Sequence, residues 1–417
     1  MTRTTRRRSM TSCGNTTPRR ISARACPAIS FPALVGRAFW LGFALAGSLL
    51  ATPAVSAAPN PIQNDFANET VLATLPAVAP NPTARELTAD ELANQLQRLI
   101  GQSRNTGDPR FLGYAERQLQ NWRQGRPESD LTDRLRVLRA TLAQSLHRFD
   151  AARQDLEQVL NTSNQPQQQI QARLTLANLE LVQGRYDDAR RHCRQLASVY
   201  PGLIAESCLA QTDARTGQAA TAYDRLRSQL AASRSGDATS RLWAQGTLAD
   251  LAAQLGRETA AKHWRQVLAQ APDDLYTRAQ LAEWQLQAGN FGAVLALTAG
   301  YEQVDTLAVI RAIALRETGS EEAEDLISSL RERFAEAQWR GALLHQRDFA
   351  RFQLDVENQP ELALTHAQAN WQDQREPLDT RLVLRAALRA GDQNALANVR
   401  QWLARHGQSD QRYPEAP

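Results

Sequence analysis

A small residue returns along this chain at a nearly fixed interval, and that recurrence constrains the fold more than any other feature. Positions 115, 152, 189, 222, 261, 294, 323, 363 and 395 are alanine everywhere except 294, which is valine, and their eight intervals average 35 residues. A period of that size is too long for one helix and too short for a domain, so it marks stacked supersecondary units. Most units repeat two further elements. An alanine precedes the marker by eleven to thirteen residues (Ala140, Ala177, Ala210, Ala249, Ala282, Ala312, Ala350), and a glycine by four or five (Gly184, Gly217, Gly256, Gly289, Gly319, Gly391). Small residues let two antiparallel helices approach closely. A glycine between them takes the left-handed backbone that closes the first helix.

The clearest unit runs from about Ile170 to Pro201, with Leu176-Ala177 on a first helix, a Gly184-Arg185-Tyr186 turn, Ala189 on a second helix, and Pro201 to stop it. In this order of small residue, Gly, aromatic, Ala and Pro the chain resembles the tetratricopeptide repeat family. Units with Leu248-Ala249, Gly256, Ala261 and Pro272, and with Leu281-Ala282, Gly289, Phe291 and Val294, follow the same plan. So do Leu209-Ala210, Gly217 and Ala222, and Ala140, Phe149 and Ala152, the last without a glycine. An opening unit spans Leu87 to Trp122, its helices parted at Gly107-Asp108-Pro109. After Gly319 the spacing is irregular, and Pro360 stands where an aromatic would, so a register shift or a distorted helix pair is expected there. The resemblance implies an all-α, right-handed α/α superhelical solenoid of about eight to nine helix-turn-helix units over residues 86–406. Ala, Leu, Gln, Arg and Glu dominate the composition, with few β-branched or aromatic residues, which agrees with helices.

Both ends read differently. Residues 1–57 combine an Arg-rich start, an apolar run from Ala38 to Ala51 and small residues ending at Val55-Ser56-Ala57, the three parts of an export signal peptide. The apolar run is 14 residues, shorter than the ~20 that a membrane-spanning helix needs, so no integral membrane segment is expected in the mature chain. Residues 58–85, with Pro59, Pro61, Pro76, Pro80 and Pro82, read as a flexible tether, and 407–417 as a disordered tail. These features point to a periplasmic protein of a Gram-negative cell, with a secreted or signal-anchored protein as the alternative.

The chain carries 48 basic and 44 acidic residues, but eight arginines and no acid lie in residues 1–57. Without them 40 basic residues face 44 acidic ones, the wrong sign for a nucleic-acid surface.

Catalytic patterns are missing: no Gly-x-Ser-x-Gly, no His-Glu-x-x-His, no phosphate-cradling loop and no zinc-spaced cysteines. The six histidines fall in separate units with none three or four residues from another. Neither an enzyme nor a cofactor or metal site is expected. Cys13 and Cys26 leave with the signal, so Cys193 and Cys208 remain. They lie at about equal distances from the turn near Tyr200-Pro201, hence at equal height on adjacent antiparallel helices. That placement allows a disulfide clamping two units, against the alternative of two buried thiols.

Resemblance to the family further implies a concave groove lined by first helices, which would bind a protein or peptide. Its ligand-facing places fall on Arg134, Gln144, Asn178, Gln211, Arg215, Trp243, Asp250, Tyr276, Glu283 and Arg316. Each is also readable as plain solvent-facing surface of a concave wall. The family's lysine-and-asparagine clamp for a C-terminal carboxylate is not expected, because Leu174 replaces its lysine and Lys262 is the chain's one lysine. Trp122, Trp264, Trp371 and Trp402, near the ends of second helices, are expected to pack on the next unit. The resulting expectation is a scaffold for protein–protein interaction. The alternatives are an accessory to envelope polysaccharide or cell-wall export, or a structural spacer.

Overall fold

A computed structural model describes residues 86–233, 237–341 and 346–415. The segments read as signal and tether, 1–57 and 58–85, lie outside the described residues.

Among the described residues there are eighteen α-helices and no strand, and the helices alternate as nine antiparallel pairs. The first three pairs are α1 (Ala89–Thr106) with α2 (Arg110–Arg123), α3 (Asp133–Ser145) with α4 (Phe149–Thr162), and α5 (Pro166–Val182) with α6 (Tyr186–Val199). The middle three are α7 (Leu203–Arg215) with α8 (Ala219–Ala232), α9 (Ala238–Gln254) with α10 (Thr259–Gln270), and α11 (Leu275–Gln287) with α12 (Phe291–Thr298). Then come α13 (Asp305–Glu317) with α14 (Glu322–Trp339), α15 (Gln346–Asp355) with α16 (Pro360–Asp373), and α17 (Pro377–Ala390) with α18 (Gln393–His406). Each helix packs on its chain neighbours, and successive first helices also touch, α1 on α3, α3 on α5, and α13 on α15. Nearest-neighbour packing of this kind defines an all-α solenoid whose inner wall is the row of first helices.

The periodic small residues explain the packing. All nine marker positions are buried, Ala115, Ala152, Ala189, Ala222, Val294 and Ala363 completely. Leucine at one of these positions would force adjacent helices apart and cost about 1–3 kcal/mol. Most turns between paired helices are closed by the same backbone bond spanning five residues, among them Arg148 N–H to Ala143 C=O (2.8 Å), Arg185 to Glu180 (2.8 Å), Gln218 to Asp213 (2.9 Å), Arg257 to Ala252 (2.8 Å) and Ser320 to Leu315 (3.0 Å). The bond requires a residue in the left-handed region just before the donor. Where the glycine is missing, His147 (φ 57°) and Asn358 (φ 56°) adopt that conformation instead.

Pro360, near which an irregularity is expected, opens α16 as its first residue, a position where the missing N–H costs nothing, and the turn before it is one residue longer than those above, with the Gln359 N–H donating to Gln353 C=O (2.8 Å). Unequal helix lengths, eight residues in α12 against eighteen in α14, account for the uneven spacing. Starts are capped in the ordinary way, by a reciprocal Thr88–Glu91 box at α1 and by Asp237, Asp274 and Asp392 at α9, α11 and α18.

One feature lies outside nearest-neighbour packing. The coil returns onto itself: α1 meets α11, and the Gly107 turn sits where a Cβ would come within 2.9 Å of Val304. Further along, the Arg375 N–H donates to Val182 C=O (2.7 Å), the Gln411 N–H donates to Gln254 C=O (2.9 Å), and the Gly217 turn lies against Gly407. Turns of the third, fourth and fifth pairs thus carry the C-terminal units. The tail 407–417 is expected to be disordered; of its described residues, 407–415, Gln408 and Asp410 are buried.

Candidate functional site: the inner wall and its C-terminal strap

The inner wall is built by α9, α11, α13, α15 and α17 in the second half of the molecule. A cavity of about 180 Å3 there is lined by Leu275, Tyr276, Leu307 and Ile310 on its apolar side and by Arg347, Arg351, Arg381 and Arg385 on its polar side. The arginines are held by carboxylates. Glu283 takes Arg381 at 2.7 Å and Arg351 at 3.1 Å, and Gln287 also donates to it (2.9 Å). Asp355 takes Arg385 at 2.6 Å and a close contact from Arg351. Arg347 reaches Asp379 at 3.3 Å, and Asn370 donates to the same carboxylate at 2.9 Å. Burial alone would raise the Glu283 pKa. The two guanidiniums reverse the sign and hold it well below the usual carboxylate range. Removing one partner would leave the others charged and buried, so this ladder fixes the relative setting of α11, α15 and α17.

The groove candidates meet different fates. Arg134 turns toward α1, where Asn94 (2.7 Å) and Gln97 (3.0 Å) accept from it. Gln144 is half-buried and Asn178 exposed. Gln211 donates to Thr247 (3.3 Å), and Arg215 to the Gln254 side chain (3.0 Å). Arg316 is spent on the carbonyls of Asp355 and Val356, and Glu283 on the ladder. Asp250 accepts from Tyr276 Oη at 3.0 Å and from Trp264 Nε1 at 3.1 Å. Desolvation pushes its carboxyl up to about 6, although both hydrogen bonds oppose the shift. Among the described residues, only Trp243 (37 % exposed) and Tyr276 (54 %) present large apolar faces on first helices. The structure therefore brings Asp250 and Tyr276 together and commits Arg134, Glu283 and Arg316 to bonds between helices.

The tryptophans split likewise. Trp264 is fully buried and meets Trp284 of the next pair edge-on, with ring centroids 6.1 Å apart. Trp371 donates to Thr380 on the following helix (3.0 Å). Trp402 has no following pair and packs instead on Trp371 (5.4 Å) and on Tyr186 (5.8 Å), more than two hundred residues earlier. Arg375 lies over both indoles, at 4.7 and 5.6 Å.

Next to this cluster lies a site that sequence reasoning missed. Residues 408–413 run as a strap across the turns of the fourth and fifth pairs and fold into a tight turn at its end, where the Tyr413 N–H donates to Asp410 C=O (3.0 Å). Gln254, 2 % exposed, holds the strap backbone at two alternate residues: its C=O accepts from the Gln411 N–H (2.9 Å), and its Nε2 donates to Ser409 C=O (2.7 Å) while also donating to Ala214 C=O (2.8 Å). Gln408 is read by its side chain, accepting from Tyr186 Oη (2.9 Å) and donating to Tyr413 Oη (3.0 Å). Arg412 pairs with Asp410 (2.6 Å) within electrostatic reach of Asp250. Tyr413 and the polar spacing Gln408, Asp410, Arg412 were the available signals. No periodic pattern covers them, so propensity reads the stretch as loop.

The second helix of the third pair is joined to the first helix of the fourth. Cys193 and Cys208 Sγ lie 1.98 Å apart, with Cα atoms at 5.5 Å. The adjoining His192 is buried, which lowers its pKa to about 4, and Arg191 and Arg173 add to the effect.

No family model matches the chain, and no curated protein matches it. Among solved structures it is similar to the crystal structure of the P58(IPK) TPR domain. The likeness covers 76% of this chain and 99% of that one, at 14% identity and a TM-score of 0.20. Among the described residues, no helix is long and apolar enough to cross a membrane.

Proposed function

We propose that this chain is a tetratricopeptide-type scaffold, exported to the periplasm through the signal at residues 1–57, that binds segments of partner proteins along its inner wall without catalysing a reaction on them. The observation that carries the reading is the wall itself. Nine stacked pairs present a continuous row of first helices, on which Trp243 and Tyr276 offer exposed aromatic faces and a cavity of about 180 Å3 offers apolar side chains beside arginines. Exposed aromatics next to fixed hydrogen-bonding groups are the usual anchors for an extended peptide. The formal excess of acid over base outside residues 1–57 turns the surface away from nucleic acid.

A photo-crosslinking amino acid placed at position 243 or 276 tests this in living cells. The expected result is capture of a discrete protein at both positions and none from position 157, which is exposed on the second helix α4. Equal capture from all three positions, or from none, overturns the reading.

A further inference from the structure

The strap is bound as a peptide ligand is bound. Its recognition is divided between backbone and side chain: Gln254 grips main-chain groups of Ser409 and Gln411, which any sequence offers, while Tyr186 selects the Gln408 amide. The seat is shaped for a backbone to pass close by. A Cβ at Gly217 would come within 2.9 Å of Gly407 O, and one at Gly256 within 3.1 Å of the Gln411 side chain. Turns with no strap over them lack this restriction, for Gly289 and Gly319 have open space at the same position. The hydrogen bonds that cross the contact are made by the Gln254 amide and carbonyl and the Tyr186 hydroxyl, and Tyr413 adds an apolar face. An interface of that kind can open to water at lower cost than a buried apolar one.

We propose that this seat is a peptide-docking site held in cis by the strap, and that a segment of a partner protein with the same closing turn exchanges with it. The inference rests on the scaffold reading above and names a partner for it. The segment would carry a glutamine for Tyr186, then, four and five residues later, an arginine near Asp250 and an aromatic, in the pattern of Gln408, Arg412 and Tyr413. Occupation in cis places the ligand at high local concentration, so a free peptide competes poorly until the strap is loosened.

Full-length protein with Gln408→Ala and Tyr413→Ala loosens the strap and leaves the seat intact. A fluorescent peptide of residues 405–415 should bind it about tenfold or more tighter than it binds the unaltered chain. Adding Gln254→Ala should abolish that gain. A loosened chain with unchanged helical circular dichroism that binds the peptide no tighter overturns the proposal. Should the loosened chain not fold, hydrogen exchange on the unaltered protein decides. The Gln411 amide should exchange through a local opening insensitive to mild denaturant, whereas the Leu255 amide, inside the adjoining turn, should not. Exchange of both amides only by global unfolding overturns the proposal. That outcome leaves the crosslinking test at positions 243 and 276 untouched.

Discussion

Turns that look alike in sequence do two different jobs in this molecule. At Gly184, Gly217 and Gly256 a left-handed glycine closes a helix and also makes room for another part of the chain, with Trp402, Gly407 and Gln411 at 3.0, 2.9 and 3.1 Å from an ideal Cβ. At Gly289, Gly319 and Gly391 the same backbone, with φ between 66 and 71°, closes a helix and faces open space. The contrast separates local from coiled-back structure. The turn conformation is a property of a few residues. Its burial depends on how far each pair rotates relative to the last, summed over many pairs.

The largest effect is expected where the two jobs meet. Trp402→Ala removes the indole that closes the cluster over the Gly184 turn and should cost about 3–5 kcal/mol in chemical denaturation. Trp339→Ala, at a residue 86 % exposed, should change stability by no more than about 0.5 kcal/mol. Similar losses from both would remove the distinction between the covered and the open part.

A disulfide at Cys193–Cys208 fastens two pairs in the covered part. Its loss in the paired Cys193→Ser, Cys208→Ser chain should cost about 2–4 kcal/mol, and intact mass under non-reducing conditions should show no free thiol in the purified protein. Two titratable thiols would contradict the bridge.

The glycines themselves sharpen the comparison. Gly319→Ala should lose about 1–2 kcal/mol to the left-handed backbone alone. Gly217→Ala should lose about 1–3 kcal/mol more, because Gly407 O is backbone and cannot swing aside. Equal losses would mean that the covered turn is covered only loosely.

The smallest effect is electrostatic. Burial raises the Asp250 carboxyl to about 6, so between pH 4 and 6 the folded chain binds a proton that the unfolded chain has released. The contribution is therefore favourable at the acid end and fades as pH rises through this window, by about 1–2 kcal/mol after allowance for partial exposure. Asp250→Asn should flatten that slope in a series of thermal melts. An unchanged slope would place Asp250 in a more watery setting.

Much of the architecture could be read before any coordinates. Every marker alanine is buried, and the turn glycines sit where the spacing puts them, because those positions answer to contacts within one unit or between adjacent units. The candidate groove was legible only as a wall. Which of its residues remain available was hidden, since Glu283 is claimed by Arg381 from 98 residues away and Gln408 by Tyr186 from 222. The one visible hint was the four-residue rhythm of Arg347 and Arg351, and of Arg381, Arg385 and Arg389, which puts arginines in rows on single faces of α15 and α17. Nothing in that rhythm says where their acids lie. The strap escaped for the same reason, as six residues without a period whose partners are set by the winding of the coil.

The central claim is that the solenoid closes on itself through its C-terminal end. Spin labels at two exposed positions, Gln218→Cys beside the Gly217 turn and Arg405→Cys at the end of α18, measure it directly by dipolar spectroscopy. The account predicts a single narrow population at short distance, because Gly217 and Gly407 are in contact. A broad population at long distance, as an open superhelix would give, contradicts it.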